Sequence, residues 1–105
     1  MLVLARRRGE ALLIGESRLV VTSLSPSIGL TYSRLGVVRH FTLLPEDLVD
    51  EPKLNLDEAN VTVAGFNATR TELVFLIDAP RSVHVLREEL KLKLDGQEDG
   101  PGPTA

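Results

Sequence analysis

The chain has 105 residues, of which 43% are hydrophobic, 4% are aromatic and none is cysteine, as is typical of one small domain with an aliphatic core. The lack of cysteine excludes disulfides, thiol nucleophiles and cysteine metal sites, and it favours a reducing cytoplasm. The net charge of −3 argues against polyanion binding through overall positive charge. The sequence predicts neither a signal peptide nor a membrane span.

The first sixteen residues predict two short strands. Alternation over residues 1–7 places Leu2, Leu4 and Arg6 on one face of the first strand. A turn centred on Gly9 leads to the second strand, residues 11–14. The adjacent arginines 6–8 leave two interpretations open: solvated charges that protect a sheet edge, or contacts to phosphates and base edges.

The middle of the chain predicts further strands over residues 17–24, 28–33 and 37–44, which are rich in β-branched or alternating apolar residues. Residues 45–50 predict a single helical turn, because Pro45 suits a first helical position and acidic residues favour the positive end of a helix. Residues 54–58 are interpreted as a connector. No internal repeat is apparent.

The last third predicts strands over residues 61–65 and 73–77, and the second of these is continuously apolar, which favours burial on both faces. A short strand follows around Val83 and Val85. From Arg87 onward the spacing of leucines favours a C-terminal helix, although residues 90–94 also fit a strand. The Gly- and Pro-rich residues 96–105 predict a disordered tail.

Two of these segments resemble a known family. One reads Met1-Leu2-Val3-Leu4-Ala5-Arg6-Arg7, then Gly9-Glu10 and Leu12-Leu13-Ile14-Gly15; the other reads Ala79-Pro80-Arg81-Ser82-Val83-His84-Val85-Leu86-Arg87-Glu88-Glu89-Leu90. Together they resemble the carbon storage regulator family (CsrA/RsmA), small bacterial RNA-binding regulators of translation. The resemblance covers about half of the chain.

The resemblance implies a mainly β fold: a small five-stranded core in an intertwined homodimer, with a short C-terminal helix. In the family, the first strand of one subunit lies beside the fifth strand of the other. We therefore expect one domain over residues 1–95, with its core in 1–16 and 59–95 and a strand-rich insertion over about 17–58 that decorates it. The third strand of the family matches either 19–24 or 61–65, and we prefer 61–65 because it leads by a hairpin into 73–77.

The resemblance also implies a function, which is binding of RNA hairpin loops that carry a GGA triplet, in mRNA leaders or small RNAs. The residues that match the binding pattern by position are Leu4, Arg6, Arg7, Arg81, Val83, Val85 and Arg87. Leu86 departs from the histidine that is common in the family. Arginine suits this chemistry, because its planar fork bonds phosphate or guanine in pairs, and RNA readers favour unstacked loop bases.

Other candidate sites are weaker. His40 and His84 lack an acidic partner or a ligand cluster in the sequence, and the acidic residues 46–51 fit a solvated connector better than a magnesium site. We therefore predict no catalytic residue, no metal and no cofactor. The alternative function is a protein-interaction module on the same scaffold with weak RNA binding, and a protein antagonist is a further possible partner.

Overall fold

A computed structural model describes residues 1–89, and in this range the chain forms nine β-strands and one 3-10 helix. The strands are β1 (Leu2–Arg7), β2 (Ala11–Ile14), β3 (Ser17–Ser23), β4 (Ile28–Arg34), β5 (Val37–Leu43), β6 (Lys53–Asn55), β7 (Asn60–Phe66), β8 (Glu72–Asp78) and β9 (Val85–Arg87). The 3-10 helix, Pro45–Asp50, joins β5 to β6. The prediction of a mainly β fold is confirmed, whereas most of the predicted C-terminal helix and the whole tail lie outside the described residues.

The strands form two antiparallel sheets. Sheet A has the order β1-β8-β7-β6, and sheet B has the order β5-β4-β3-β2-β9. The chain moves from sheet A to sheet B between β1 and β2, at a turn where Gly9 has a positive φ of 86°, which glycine adopts without steric cost. The Gly9 amide donates a hydrogen bond to the Val21 carbonyl oxygen at 2.6 Å, so this turn is fixed to β3.

One hydrophobic core lies between the two sheets. Every second residue of the central strands is buried, as expected when one face of each sheet is covered. Both sheets contribute almost fully buried side chains to the core, and these are Leu12, Ile14, Leu19, Val21, Ile28, Leu30, Tyr32, Val61, Val63, Leu73, Phe75 and Ile77. The molecule is therefore a small β-sandwich in which both sheets share a single core.

The segment predicted as a decorative insertion, residues 17–58, lies at the centre of this fold. Its strands β3 and β4 are the inner strands of sheet B, and Leu30 and Tyr32 of β4 are each only 1% exposed. This corrects the expectation that the segment decorates a separate core. The predicted connector also contains a strand, because β6 (Lys53–Asn55) pairs with β7.

Strand β8 departs from the prediction that both of its faces are buried. Its apolar residues alternate between buried and half-buried, so Val74 and Leu76 lie on the outer face of sheet A instead of in a second core. No helix within residues 1–89 has the length and hydrophobicity needed to cross a membrane.

Candidate nucleic-acid interface

The two segments that carry the resemblance meet at one edge of the sandwich. Strand β1 is the edge of sheet A, and β9 is the edge of sheet B. β9 is held by β2, with Arg87 opposite Leu12 and Val85 opposite Ile14. We call the strip between these two edges the β1–β9 seam. The seam joins residues that are about eighty positions apart in sequence.

A groove of about 350 Å³ forms one end of the seam. It is lined by Met1, by Leu2 at the start of β1, by Ile77 of β8, and by Ala79, Pro80, Arg81, Val83, His84 and Val85. Three predicted site residues, Arg81, Val83 and Val85, are thus brought together in it. Most residues that line the groove are apolar, and Arg81 and His84 add a cation and an imidazole. Its neighbouring strands β1 and β9 are sheet edges among residues 1–89, so neither has a strand partner on its outer side.

Arg6 closes the other end of the seam. Its guanidinium donates to both carboxylate oxygens of Glu89, at 2.7 and 2.9 Å. It also donates to the carbonyl oxygens of Ala5 and Ala11, at 2.9 and 3.2 Å. The side chain of Arg6 is 5% exposed. Its buried guanidinium therefore connects β1 to the segment that follows β9. Its predicted contact with RNA stays a prediction, and in the structure the guanidinium already donates to these protein partners.

The contact with Arg6 also changes the acidity of Glu89. The hydrogen bond from Arg6, together with a backbone hydrogen bond and the nearby positive charges, lowers the pKa of Glu89 to about 2. In return, the hydrogen bond to Glu89 raises the pKa of Arg6. Both groups are therefore charged throughout the physiological range, and the ion pair is a permanent feature of the seam near neutral pH.

A second ion pair compensates the negative charge of Glu88 at the seam. Arg18 of β3 donates to the Glu88 carboxylate at 2.5 and 3.1 Å, and this hydrogen bond lowers the pKa of Glu88. None of the ion pairs formed within residues 1–89 includes Arg81 or Arg87. Because both glutamates are neutralised by other arginines, Arg81 and Arg87 remain exposed cations that are available to a ligand.

The remaining predicted residues lie in different surroundings. Leu4 is half-buried and packs against the core, opposite Phe75 of β8. Arg7 is exposed and lies opposite Glu72, whose carboxylate is 3.8 Å from the Arg7 guanidinium. Strand alternation places Arg7 on the outer face of sheet A and not in the groove. The structure therefore separates Arg7 from the residues that line the groove.

Sequence reasoning missed several residues of this interface. Met1 and Leu2 line the groove although only Leu4 was selected from the apolar part of β1. Glu88 and Glu89 begin a helical segment, as the sequence predicts. Each also pairs with an arginine of a different strand, which the sequence did not indicate. The sequence signal was the pair of adjacent glutamates beside Arg87. The local sequence does not show that their partners lie in β1 and β3.

Within residues 1–89 there is no group of three histidine, cysteine or carboxylate side chains that could hold a metal ion. Comparison of the chain with protein-family models, with curated proteins and with solved structures found no match in any of the three.

Proposed function

We propose that the chain is an RNA-binding post-transcriptional regulator that holds a GGA-containing hairpin loop at the β1–β9 seam. The observation that carries the proposal is the meeting of residues 1–15 with residues 79–89. These are the segments that resemble the RNA-binding regulators, and they come together in the β2–β9 pairing, in the Arg6–Glu89 contact and in the groove.

The chemistry of the seam suits an unpaired loop better than a duplex. Loop bases are unstacked, and proteins read them through cations, backbone groups and contacts to base faces. The groove offers Val83 and Val85 as apolar surface, with Arg81 at its border, while Arg87 stands exposed on the adjacent strand. An arginine at such a position makes paired hydrogen bonds to a phosphate or to a guanine edge.

The acidic net charge of the whole chain does not oppose this proposal. Much of the negative charge near the seam is matched, because Glu88 and Glu89 are paired with Arg18 and Arg6. The local field at the groove is then set mainly by Arg81 and Arg87. Binding that depends on a few placed cations has a modest salt dependence, whereas non-specific polyanion binding has a steep one.

The homodimer expected from the resemblance is a separate part of the proposal. In the family, the first and fifth strands come from different subunits, whereas here β1 and β9 approach one another within one chain. One chain alone brings together the groove residues and Arg87, which are proposed to contact RNA. RNA binding at the seam therefore does not depend on whether the intertwined homodimer forms.

A protein-interaction module is the second candidate. Exposed apolar residues in the edge strand β1 and directly before it favour this candidate: Val3 is 59% exposed and Met1 is 84% exposed. An unpaired edge strand is a common docking site for a peptide. A partner recognised in this way would use the backbone of β1 and its outer face. It would not require the cations of the groove.

The experiment that separates the two functions is a titration of the wild-type chain with matched RNA hairpins, one with GGA in the loop and one with the triplet scrambled, at 50 and 200 mM salt. The proposal predicts at least about tenfold tighter binding of the GGA hairpin, equivalent to about 1.4 kcal/mol, at both salt concentrations. Equal affinity for both hairpins, or no binding of either, would leave the protein-interaction module as the better account.

A further inference from the structure

The two halves of the chain repeat one another in structure. The β2–β3 hairpin spans Ala11 to Ser23, and the β6–β7 hairpin spans Lys53 to Gly65. Adding 42 to the residue numbers of the first hairpin gives the strand register of the second. The buried positions coincide from Leu12 and Leu54 onward, whereas Ala11 is buried and Lys53 is exposed. Only three of the paired residues are identical. Those identical pairs are Leu12 with Leu54, Glu16 with Glu58, and Val21 with Val63.

The repeat extends to irregular features that alternation alone does not produce. The β3–β4 pairing slips between Val21 and Ser23, and the β7–β8 pairing slips at the equivalent place, between Val63 and Gly65. The Val21 amide donates to the Glu10 carbonyl at 3.1 Å, and the equivalent amide of Val63 donates to the Pro52 carbonyl at 2.9 Å. A β-bulge is a specific feature of a fold, so its recurrence at one register supports a true duplication.

The first strands of the two repeats are exchanged. β1 pairs with β8 of the second repeat, and β5 pairs with β4 of the first. The registers match here as well: Leu4 lies opposite Phe75, and Phe41 lies opposite Leu30, the residue equivalent to Phe75. Reciprocal exchange of an identical element is the arrangement of an intertwined dimer, and here both exchanges occur inside one chain.

Strand β9 has no counterpart after β4. It follows β8 and completes sheet B beside β2. The equivalent strand would follow β4 and lie beside β6, but β4 ends at Arg34 and β5 begins at Val37, so only a two-residue turn separates them. Among residues 1–89, no strand pairs with the outer edge of β6.

Beside β6, the Tyr32 hydroxyl contacts a backbone amide whose equivalent beside β2 is hydrogen-bonded to the residue before β9. Beside β2, the Gly15 amide donates to the carbonyl oxygen of His84 at 2.8 Å, just before β9 begins. The equivalent amide, that of Asp57, lies 3.4 Å from the Tyr32 hydroxyl oxygen, which also donates to the Asp57 carboxylate at 2.7 Å. Beside β6, the backbone amide therefore has a side-chain hydroxyl as its partner, where the amide beside β2 has the backbone that leads into β9.

We propose that the protein is a single-chain pseudo-dimer in which only one of two equivalent seams is complete, so that each chain offers one RNA-binding site. This inference rests on the proposed function for the ligand, whereas its assembly part stands on the strand registers. Among residues 1–89, the second seam, between β5 and β6, has no equivalent of β9. There, Arg39 of β5 lies over the rings of Tyr32 and Phe41, at 5.0 and 5.6 Å.

The assembly part is tested by a disulfide between β1 and β8 in the full chain. Val3 and Leu76 lie directly opposite one another on the outer face of sheet A, and the chain has no other cysteine. We expect the oxidised variant Val3→Cys/Leu76→Cys to run almost entirely as a single chain on a denaturing, non-reducing gel. A covalent dimer as the main product would overturn the pseudo-dimer, because it would place β1 and β8 in different chains.

A matched variant controls for disulfide formation itself. Thr62 and Leu76 are opposite one another on β7 and β8, which belong to one hairpin, so the variant Thr62→Cys/Leu76→Cys gives a single-chain product in either assembly. Exposure of each variant to the same oxidant over the same range of protein concentrations shows whether the β1–β8 product responds to concentration. An intramolecular bond predicts no response.

The ligand part is tested by native mass spectrometry of the wild-type chain with an excess of the GGA hairpin. We expect complexes of one chain with one hairpin. Two hairpins per chain would overturn the single complete seam. Failure to bind any hairpin would overturn the proposed function and the one-site statement with it, while the disulfide result would still decide whether the chain is a pseudo-dimer.

Discussion

Arg6 shows how a charged side chain in an apolar strand becomes structural. The alternation of β1 correctly predicts that Arg6 shares a face with Leu2 and Leu4, and that face is turned towards the core. A guanidinium there must have its donors satisfied. Two nearby carbonyl oxygens and the Glu89 carboxylate accept these hydrogen bonds. Glu89 is 83 residues away, so the sequence indicated the position of Arg6 and not the identity of its main partner.

The Arg6–Glu89 contact gives a prediction on stability. Glu89→Ala removes the main partner of a guanidinium whose side chain is 5% exposed, and we expect the free energy of unfolding to fall by about 1–3 kcal/mol. Glu88→Ala is the matched control, because its partner Arg18 has a side chain that is 44% exposed, and such pairs contribute less than about 1 kcal/mol. Urea denaturation at pH 7 measures both values. Equal losses would show that Arg6 is not a specific tie.

The same contact predicts a pH dependence. Glu89 has a pKa of about 2 in the folded chain, against about 4.3 when unfolded. Because its folded pKa is depressed, its contribution to stability is present above the unfolded pKa and is lost as the pH falls towards 2. We expect the difference in unfolding free energy between wild type and Glu89→Gln to be largest at neutral pH and to shrink between about pH 5 and pH 2. A difference that is constant over this range would contradict the assignment.

At the scale of elements, alternation in the sequence located most of the strands but not their relationship. Val21 and Val63 were each placed in a strand, and both threadings of the family's third strand turn out to mark equivalent positions of the two repeats. The duplication was hidden because the equivalent exposed residues differ in chemistry, as Arg18 and Asn60 do. Strand β6 was missed because three residues between Pro52 and a turn carry too little alternation to be recognised.

A pair of substitutions tests whether residues 17–58 belong to the core. Leu30 of β4 is 1% exposed, whereas Leu35 in the turn after β4 is 70% exposed. We expect Leu30→Ala to cost about 2–5 kcal/mol, as is usual for large-to-small changes in a core, and Leu35→Ala to cost less than about 0.5 kcal/mol. Thermal or urea unfolding measures both. A decorative segment would give a small effect at Leu30 as well.

At the scale of the whole molecule, the resemblance predicted a meeting of the two ends of the described chain, and the structure brings them together at the β1–β9 seam. What the sequence alone could not indicate was that one chain supplies both sides of the seam. That property depends on the exchange of β1 and β5 between repeats, which is a matter of long-range pairing. Local periodicity carries no information about which distant strand completes a sheet.

The measurement that tests the central claim most directly is the affinity of Arg87→Ala for the GGA hairpin, compared with wild type and with Arg39→Ala. Arg39 carries the same charge on β5, at the opposite edge of sheet B and about 19 Å away at the usual strand spacing. We expect Arg87→Ala to weaken binding about 5- to 150-fold, since a base-directed arginine contributes about 1–3 kcal/mol. We expect Arg39→Ala to stay within about twofold of wild type, and Arg87→Lys to restore little, because an ammonium lacks the paired donors of a guanidinium. Equal losses for Arg87→Ala and Arg39→Ala would contradict binding at the seam.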